Sequence, residues 1–194
     1  MLPDLPPAAL KLEIDRPALA ANWAALDRLS GAARAGAAVK ADAYGLGARV
    51  AVPVLHAAGC RDFFVTYSSE AADILDLVPP QQIALLHGPL SADDARFALA
   101  TGVRPVINTL RQAELWLAAG GGRCDLMVDT GINRLGLTMD MLSHDAVQRL
   151  DVDVLLSHLA SADEDVALNA AQQSRWNAAQ QRAQHKRASL ANSA

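Results

Sequence analysis

The chain has 194 residues, 52% hydrophobic and 20% charged, a composition that allows a sizeable buried core and excludes an intrinsically disordered protein. Its net charge of -4 leaves no electrostatic footprint for nucleic acid or an anionic membrane, so neither is expected as a partner. The opening Met1-Leu2-Pro3-Asp4-Leu5-Pro6-Pro7 lacks a basic segment and no uncharged apolar stretch reaches about 18 residues, so neither a signal peptide nor a membrane span is expected and the default compartment is the cytoplasm.

Along the chain, residues 1–10 read as a tail and residues 11–194 as one domain. Leu12-Glu13-Ile14-Asp15-Arg16 alternates like a strand. Beyond it, short apolar runs alternate with amphipathic helical stretches joined by glycines or polar turns, the pattern of parallel βα units. Strands are predicted at 37–41, 62–66, 82–87, 104–108, 125–129, 152–157 and 188–190, with helices between consecutive members. Strands this apolar are covered on both faces. Gly59, Gly102 and Gly120 mark helix C-termini, while Ser68-Ser69-Glu70 and Ser91-Ala92-Asp93-Asp94 supply capping side chains and acidic first turns. Cys60 and Cys124 stand alone in apolar surroundings and read as reduced core cysteines, with neither a disulfide nor a metal site expected.

Repeated βα units can wind into an open sheet or close into a barrel. No GxGxxG follows the first strand, and Lys40, Arg134, His158 and Asn192 fall at or just beyond the ends of four different strands, where barrels place their sites. The predicted class is therefore α/β, of the (β/α)8 TIM-barrel type. About seven strands and six connecting helices are found, against eight of each and about 250 residues for a closed barrel, so the barrel is expected to be incomplete.

Lys40 ends the first apolar run and opens a turn, Ala37-Ala38-Val39-Lys40-Ala41-Asp42-Ala43-Tyr44-Gly45-Leu46-Gly47; the other two lysines, Lys11 and Lys186, lie near the ends of the chain. An amine at the end of a buried strand is partly desolvated and suits Schiff-base chemistry, although by spacing alone a lysine that snorkels to solvent is the plainer reading. Tyr44 is predicted to start a helix whose N-terminus suits an anion; taken singly it is a core-edge aromatic. Arg134 sits in a Thr-Gly-x-x-Arg-x-Gly turn where a planar fork of donors can grip a carboxylate, and a surface arginine is the plain alternative. Asn192 and Ser193 offer donors just after a strand, a geometry suited to phosphate.

Val39-Lys40-Ala41-Asp42-Ala43-Tyr44-Gly45-x-Gly47 resembles the cofactor-lysine segment of alanine racemases. Asp129-Thr130-Gly131-Ile132-Asn133-Arg134-Leu135-Gly136 is similar to their substrate-arginine segment, Ser157-His158-Leu159-Ala160-Ser161-Ala162-Asp163 to their histidine segment, and Ser189-Leu190-Ala191-Asn192-Ser193-Ala194 to the segment that holds the cofactor phosphate. The four runs come in the family's order, from about residue 12 to the last.

The resemblance implies a pyridoxal 5'-phosphate enzyme that interconverts L- and D-alanine by two-base proton transfer, for peptidoglycan supply or D-alanine catabolism. It implies a homodimer whose barrel domain carries a C-terminal β domain, and the match here covers the barrel alone. By the same resemblance Lys40 holds the cofactor and acts as one catalytic base, and Tyr44, Asn192 and Ser193 contact the phosphate. Arg134 binds the substrate carboxylate or the cofactor's phenolic oxygen, and His158 supports the cofactor site. The second-base tyrosine and the arginine facing the pyridine nitrogen have no match in the chain. Met127 stands where the family commonly has a carbamylated lysine, and Leu46 where many relatives have histidine. A broader amino-acid racemase, a non-catalytic cofactor-binding barrel and an incomplete gene product remain as alternatives.

Overall fold

The computed structural model describes residues 10–164 and 166–190. The first element is α1 (Arg16–Leu29), which begins where Asp15 accepts a hydrogen bond from the Ala18 amide (2.9 Å). The strand expected over residues 12–16 does not form. Residues 10–15 are irregular, with Leu10 and Leu12 exposed, because no strand among the described residues lies alongside to satisfy their backbone groups.

All seven other predicted strands are present, the first four shortened, the fifth shifted two residues earlier and the last two begun one residue earlier: β1 (Ala37–Ala38), β2 (Phe63–Val65), β3 (Ile83–Leu85), β4 (Arg104–Ile107), β5 (Arg123–Met127), β6 (Asp151–Ser157) and β7 (Arg187–Leu190). They form one sheet in sequential order, and every pairing is parallel. The connections carry α2 (Lys40–Tyr44), which is a left-handed turn, then α3 (Ala48–Ala58), α4 (Ser68–Ala72), α5 (Ala92–Thr101), α6 (Leu110–Ala118), α7 (Asp145–Gln148) and α8 (Ala167–Arg182). Ser91 and Asp94 form a reciprocal capping box on α5, as their spacing predicts. Ser68 does not cap α4. It is the first helical residue, and the carboxylate of Glu70 accepts the preceding Thr66 amide instead (2.6 Å).

Two cores flank the sheet. The larger lies under the helices and includes Phe63, Ile107, Leu126, Leu155, Trp116 and Trp176. The smaller, on the concave face, consists of Ala84, Val106, Met127, Val154 and Leu156, with Phe64 and Leu86 packed against it. Cys60 and Cys124 are free and buried, and burial lifts the Cys60 thiol to about 11, which keeps it protonated and unreactive. No helix among the described residues is long and apolar enough to cross a membrane.

The curl of the sheet follows from one set of distances. Five strand spacings separate β2 from β7, about 24 Å in a flat sheet, yet Arg187 Nη1 on β7 is 2.9 Å from Asp62 Oδ2 just before β2. The sheet is therefore rolled, and its N-terminal end is floored by charge. Buried Arg104 donates to Asp62 (2.9 Å), Asp125 (3.2 Å), Asp153 (3.4 Å) and the Gln81 carbonyl (2.8 Å). Arg187 and Arg123 also donate to Asp153. A β-bulge sets Asp153 and Val154 of β6 opposite Asp125 alone, so a carboxylate reaches the floor while Val154 still fills the concave core.

Burial would raise the Asp62 and Asp153 carboxyls, but hydrogen bonds from their arginine partners outweigh it and hold both below the usual carboxylate range. Asp125 goes the other way, pushed up to about 6 by burial despite Arg104. Asp62 and Asp153 thus stabilise the fold at neutral pH and lose that contribution in acid, while Asp125 favours the fold most below its unfolded pKa of about 3.9 and loses this as pH rises through 6. Asp153→Ala is expected to cost about 1.5–3 kcal/mol of unfolding free energy, measured by urea denaturation, because it removes the carboxylate acceptor that Arg104, Arg123 and Arg187 share. Asp125→Asn is expected to gain stability relative to the parent chain as pH rises from 4 to 6; a gap that stays constant over that range would contradict the assignment.

Candidate active site

Parallel pairing puts the C-terminal ends of all seven strands at one mouth, opposite the ionic floor. Lys40 leaves β1 there after buried Val39. Ala41, Asp42, Ala43 and Tyr44 then follow with φ of 51°, 52°, 53° and 56°, four successive non-glycine residues in the left-handed region. Each costs roughly 1–2 kcal/mol relative to a right-handed turn, so other contacts must hold the conformation. The Ala43 amide bonds the Val39 carbonyl (2.9 Å) and the Gly47 amide bonds that of Asp42 (2.9 Å). Asp42 Oδ1 accepts the first amide of α3, Ala48 (2.6 Å). Glu70 Oε1 accepts from the Ala41 amide (2.9 Å) while Oε2 accepts from Thr66 at the end of β2, so one carboxylate ties the residue after Lys40 to the neighbouring strand.

Tyr44 does not start a helix, contrary to the expectation from sequence. It ends the left-handed turn with 66% of its surface exposed, and α3 begins at Ala48. The polypeptide reverses handedness here before it can adopt a right-handed helix, and alternation of apolar residues carries no signal of handedness.

A second loop leaves β5 and returns. Leu137 bridges to Val128, its amide bonding the Met127 carbonyl and its carbonyl accepting the Asp129 amide (both 2.9 Å). Asp129 Oδ1 accepts from the Gly131 and Asn133 amides (2.8 and 3.1 Å), shaping the excursion that carries exposed Arg134. Gly136 is required where the loop closes: at φ 117°, a Cβ there would lie 2.7 Å from the Asp129 nitrogen. Met127 packs in the concave core directly below.

His158 follows β6 and is half-buried. Ser157 Oγ donates to the Val128 carbonyl and pairs with Thr130 Oγ1 (both 2.8 Å), which joins the histidine segment to the root of the arginine loop. Lys40 shares the mouth with these two but follows β1, which β2, β3 and β4 separate from β5. Among the described residues, no hydrogen bond or ion pair engages the Lys40 amine, the Tyr44 hydroxyl or the Arg134 guanidinium. Asn192 and Ser193, the expected phosphate contacts, lie outside the described residues.

Residues 14–194 match the family model described as "Alanine racemase, N-terminal domain". The chain belongs to the alanine racemase N-terminal domain family. It is 43% identical over 198 residues to the alanine racemase of Rhodospirillum rubrum, covering 95% of this chain and 53% of that protein. It is 42% identical over 171 residues to that of Rhizobium meliloti, covering 84% and 45%. The crystal structure of alanine racemase from Bartonella henselae with covalently bound pyridoxal phosphate superposes with a TM-score of 0.83 at 30% identity, covering 93% of this chain and 56% of that one. The chain thus spans about half the length of the curated relatives it matches.

Within this domain, the segments around Lys40, Arg134 and His158 were legible as motifs, whereas Glu70, Thr130 and Gln172, which brace them, were not singled out. Glu70 stood in a presumed capping run, and Gln172 lies in a helix with no motif around it. Glu70→Ala is expected to lower stability by about 1–3 kcal/mol in urea unfolding, because it leaves the Ala41 and Thr66 amides without their acceptor. Amide exchange at Ala41 should quicken more than at the floor strands.

Proposed function

We propose that this domain binds pyridoxal 5'-phosphate and serves in the racemisation of alanine, with Lys40 as the attachment point and one proton-transfer base. The observation that carries the reading is the unengaged amine, phenol and guanidinium of Lys40, Tyr44 and Arg134 at one mouth. That donor set fits the cofactor: a primary amine for its aldehyde and a hydroxyl for its phosphate, with a guanidinium fork for a carboxylate or phenolate. When bound, the cofactor supplies an electron sink for the α-carbon of the amino acid.

The remaining work falls to the protein. Lys40, held at the end of β1 by the Glu70-braced turn, takes or gives a proton at the substrate α-carbon on one face. Arg134 grips the substrate carboxylate in two-point fashion and so orients the Cα–H bond toward the amine. His158, at the end of β6, supports the cofactor ring, and Tyr44 with Asn192 and Ser193 holds the phosphate. The base for the opposite face is assigned to a group outside this domain, in keeping with a homodimer acting in the cytoplasm, where D-alanine is made for peptidoglycan or consumed.

Borohydride reduction of the cofactor-loaded chain, followed by peptide mass analysis, is expected to leave cofactor mass on the Lys40 peptide. Lys40→Ala is expected to abolish both that label and any racemisation; unchanged turnover would sink the proposal. Arg134→Lys, which keeps charge but loses the fork, is expected to raise KM for alanine roughly tenfold or more.

A further inference from the structure

We infer that Gln172 is a positioning residue that sets the arginine loop and the histidine segment in register; the roles of Arg134 and His158 rest on the function proposed above. Gln172 lies on α8 and is fully buried. Burying a primary amide costs about 1–3 kcal/mol unless its bonds are made, and here both donors and the acceptor are engaged. Nε2 donates to Thr130 Oγ1 (3.1 Å) and to the carbonyl of His158 itself (3.1 Å), and Oε1 accepts from the Ala160 amide (2.9 Å). Only one orientation of the amide satisfies these partners, since a carbonyl must face an N–H and a peptide N–H must face an oxygen.

The direction of the whole chain of bonds then follows. Ser157 gives its single hydrogen to the Val128 carbonyl, so in the Thr130–Ser157 contact Thr130 must donate and Ser157 accept. Thr130 in turn accepts from Gln172. The sequence Gln172, Thr130, Ser157, Val128 carbonyl is one-way, with every hydrogen placed. It starts on α8, crosses the root of the arginine loop and ends just beyond β5. A carboxylate at 172 could not start it.

Helix α8 also presses on the loop directly. Arg175 Nη1 donates to the Thr130 carbonyl (2.8 Å), and a Cβ on Gly131 would lie 2.8 Å from that nitrogen and 3.3 Å from Gln172 Cγ. Glycine at φ 141° is what permits the approach. The loop carrying Arg134 is thereby fixed at its base to the same amide that holds His158.

Thr130→Val keeps the shape and removes the relay, Thr130→Ser keeps the hydroxyl, and Gln172→Met removes the amide. Amide hydrogen exchange of the chain without cofactor reads the clamp alone. Thr130→Val and Gln172→Met are expected to quicken exchange at Gly131 and Asn133 roughly tenfold or more, as loss of a buried hydrogen bond implies, with Thr130→Ser close to the parent. In the cofactor-loaded protein, Thr130→Val should raise KM for alanine with little change in kcat, and Thr130→Ser should restore it. If Gln172→Met fails to fold, the Thr130 pair decides. Equal exchange and equal KM in the Val and Ser variants would overturn the clamp. Exchange that responds as expected in a protein that neither loads cofactor nor racemises would uphold the clamp and overturn the proposed function.

Discussion

The charged floor is the constraint on which the rest depends. Arg104 is buried with three carboxylates within hydrogen-bonding reach, and Arg187 joins the last described strand to the residue before the second. A guanidinium in a low-dielectric setting is tolerated only with its donors engaged. Meeting that demand requires β2, β4, β5, β6 and β7 to converge at one end, which a flat sheet cannot do. The rolled geometry, the small concave core and the shared mouth above it all follow from that convergence.

The two ends of the barrel use charge in opposite ways. At the floor, arginines and aspartates neutralise each other and leave little capacity for a ligand. At the mouth, carboxylates and amides are spent on the backbone: Asp42 on Ala48, Glu70 on Ala41 and Thr66, Asp129 on Gly131 and Asn133, and Gln172 on Ala160. Lys40 and Arg134 are consequently left without a carboxylate among the described residues, on backbone that is itself rigidly held. Such an arrangement favours an anionic ligand and keeps its donors in place before it arrives. Met127 extends the apolar core to the base of the Arg134 loop, so no charge from that position orients the guanidinium.

Much of the fold was legible because parallel strands buried on both faces read as apolar runs separated by glycine and capping residues, and all seven sheet strands were found from that signal. Ser91 with Asp94 was a reliable cap because both halves of the box are local. The errors share one cause. Residues 12–16 alternate like a strand but have no neighbour to pair with among the described residues, the turn after Lys40 runs left-handed, and Ser68 yields its expected role to Glu70, whose second partner, Ala41, is 29 residues away. Local pattern reports which face of an element is apolar and is silent on which distant group will accept a given amide.

By itself the sequence determined where the seven sheet strands lie along the chain, the positions of Lys40, Arg134 and His158 at or beyond strand ends, and the family, since each depends on residues adjacent in the chain. Only the tertiary structure decided that the sheet rolls over an ionic floor, that Glu70 braces the lysine turn and that Gln172 joins the arginine loop to the histidine segment. These contacts link residues up to 125 positions apart. They form because buried polar groups must find partners wherever the fold brings them, and no periodicity in the chain records that meeting.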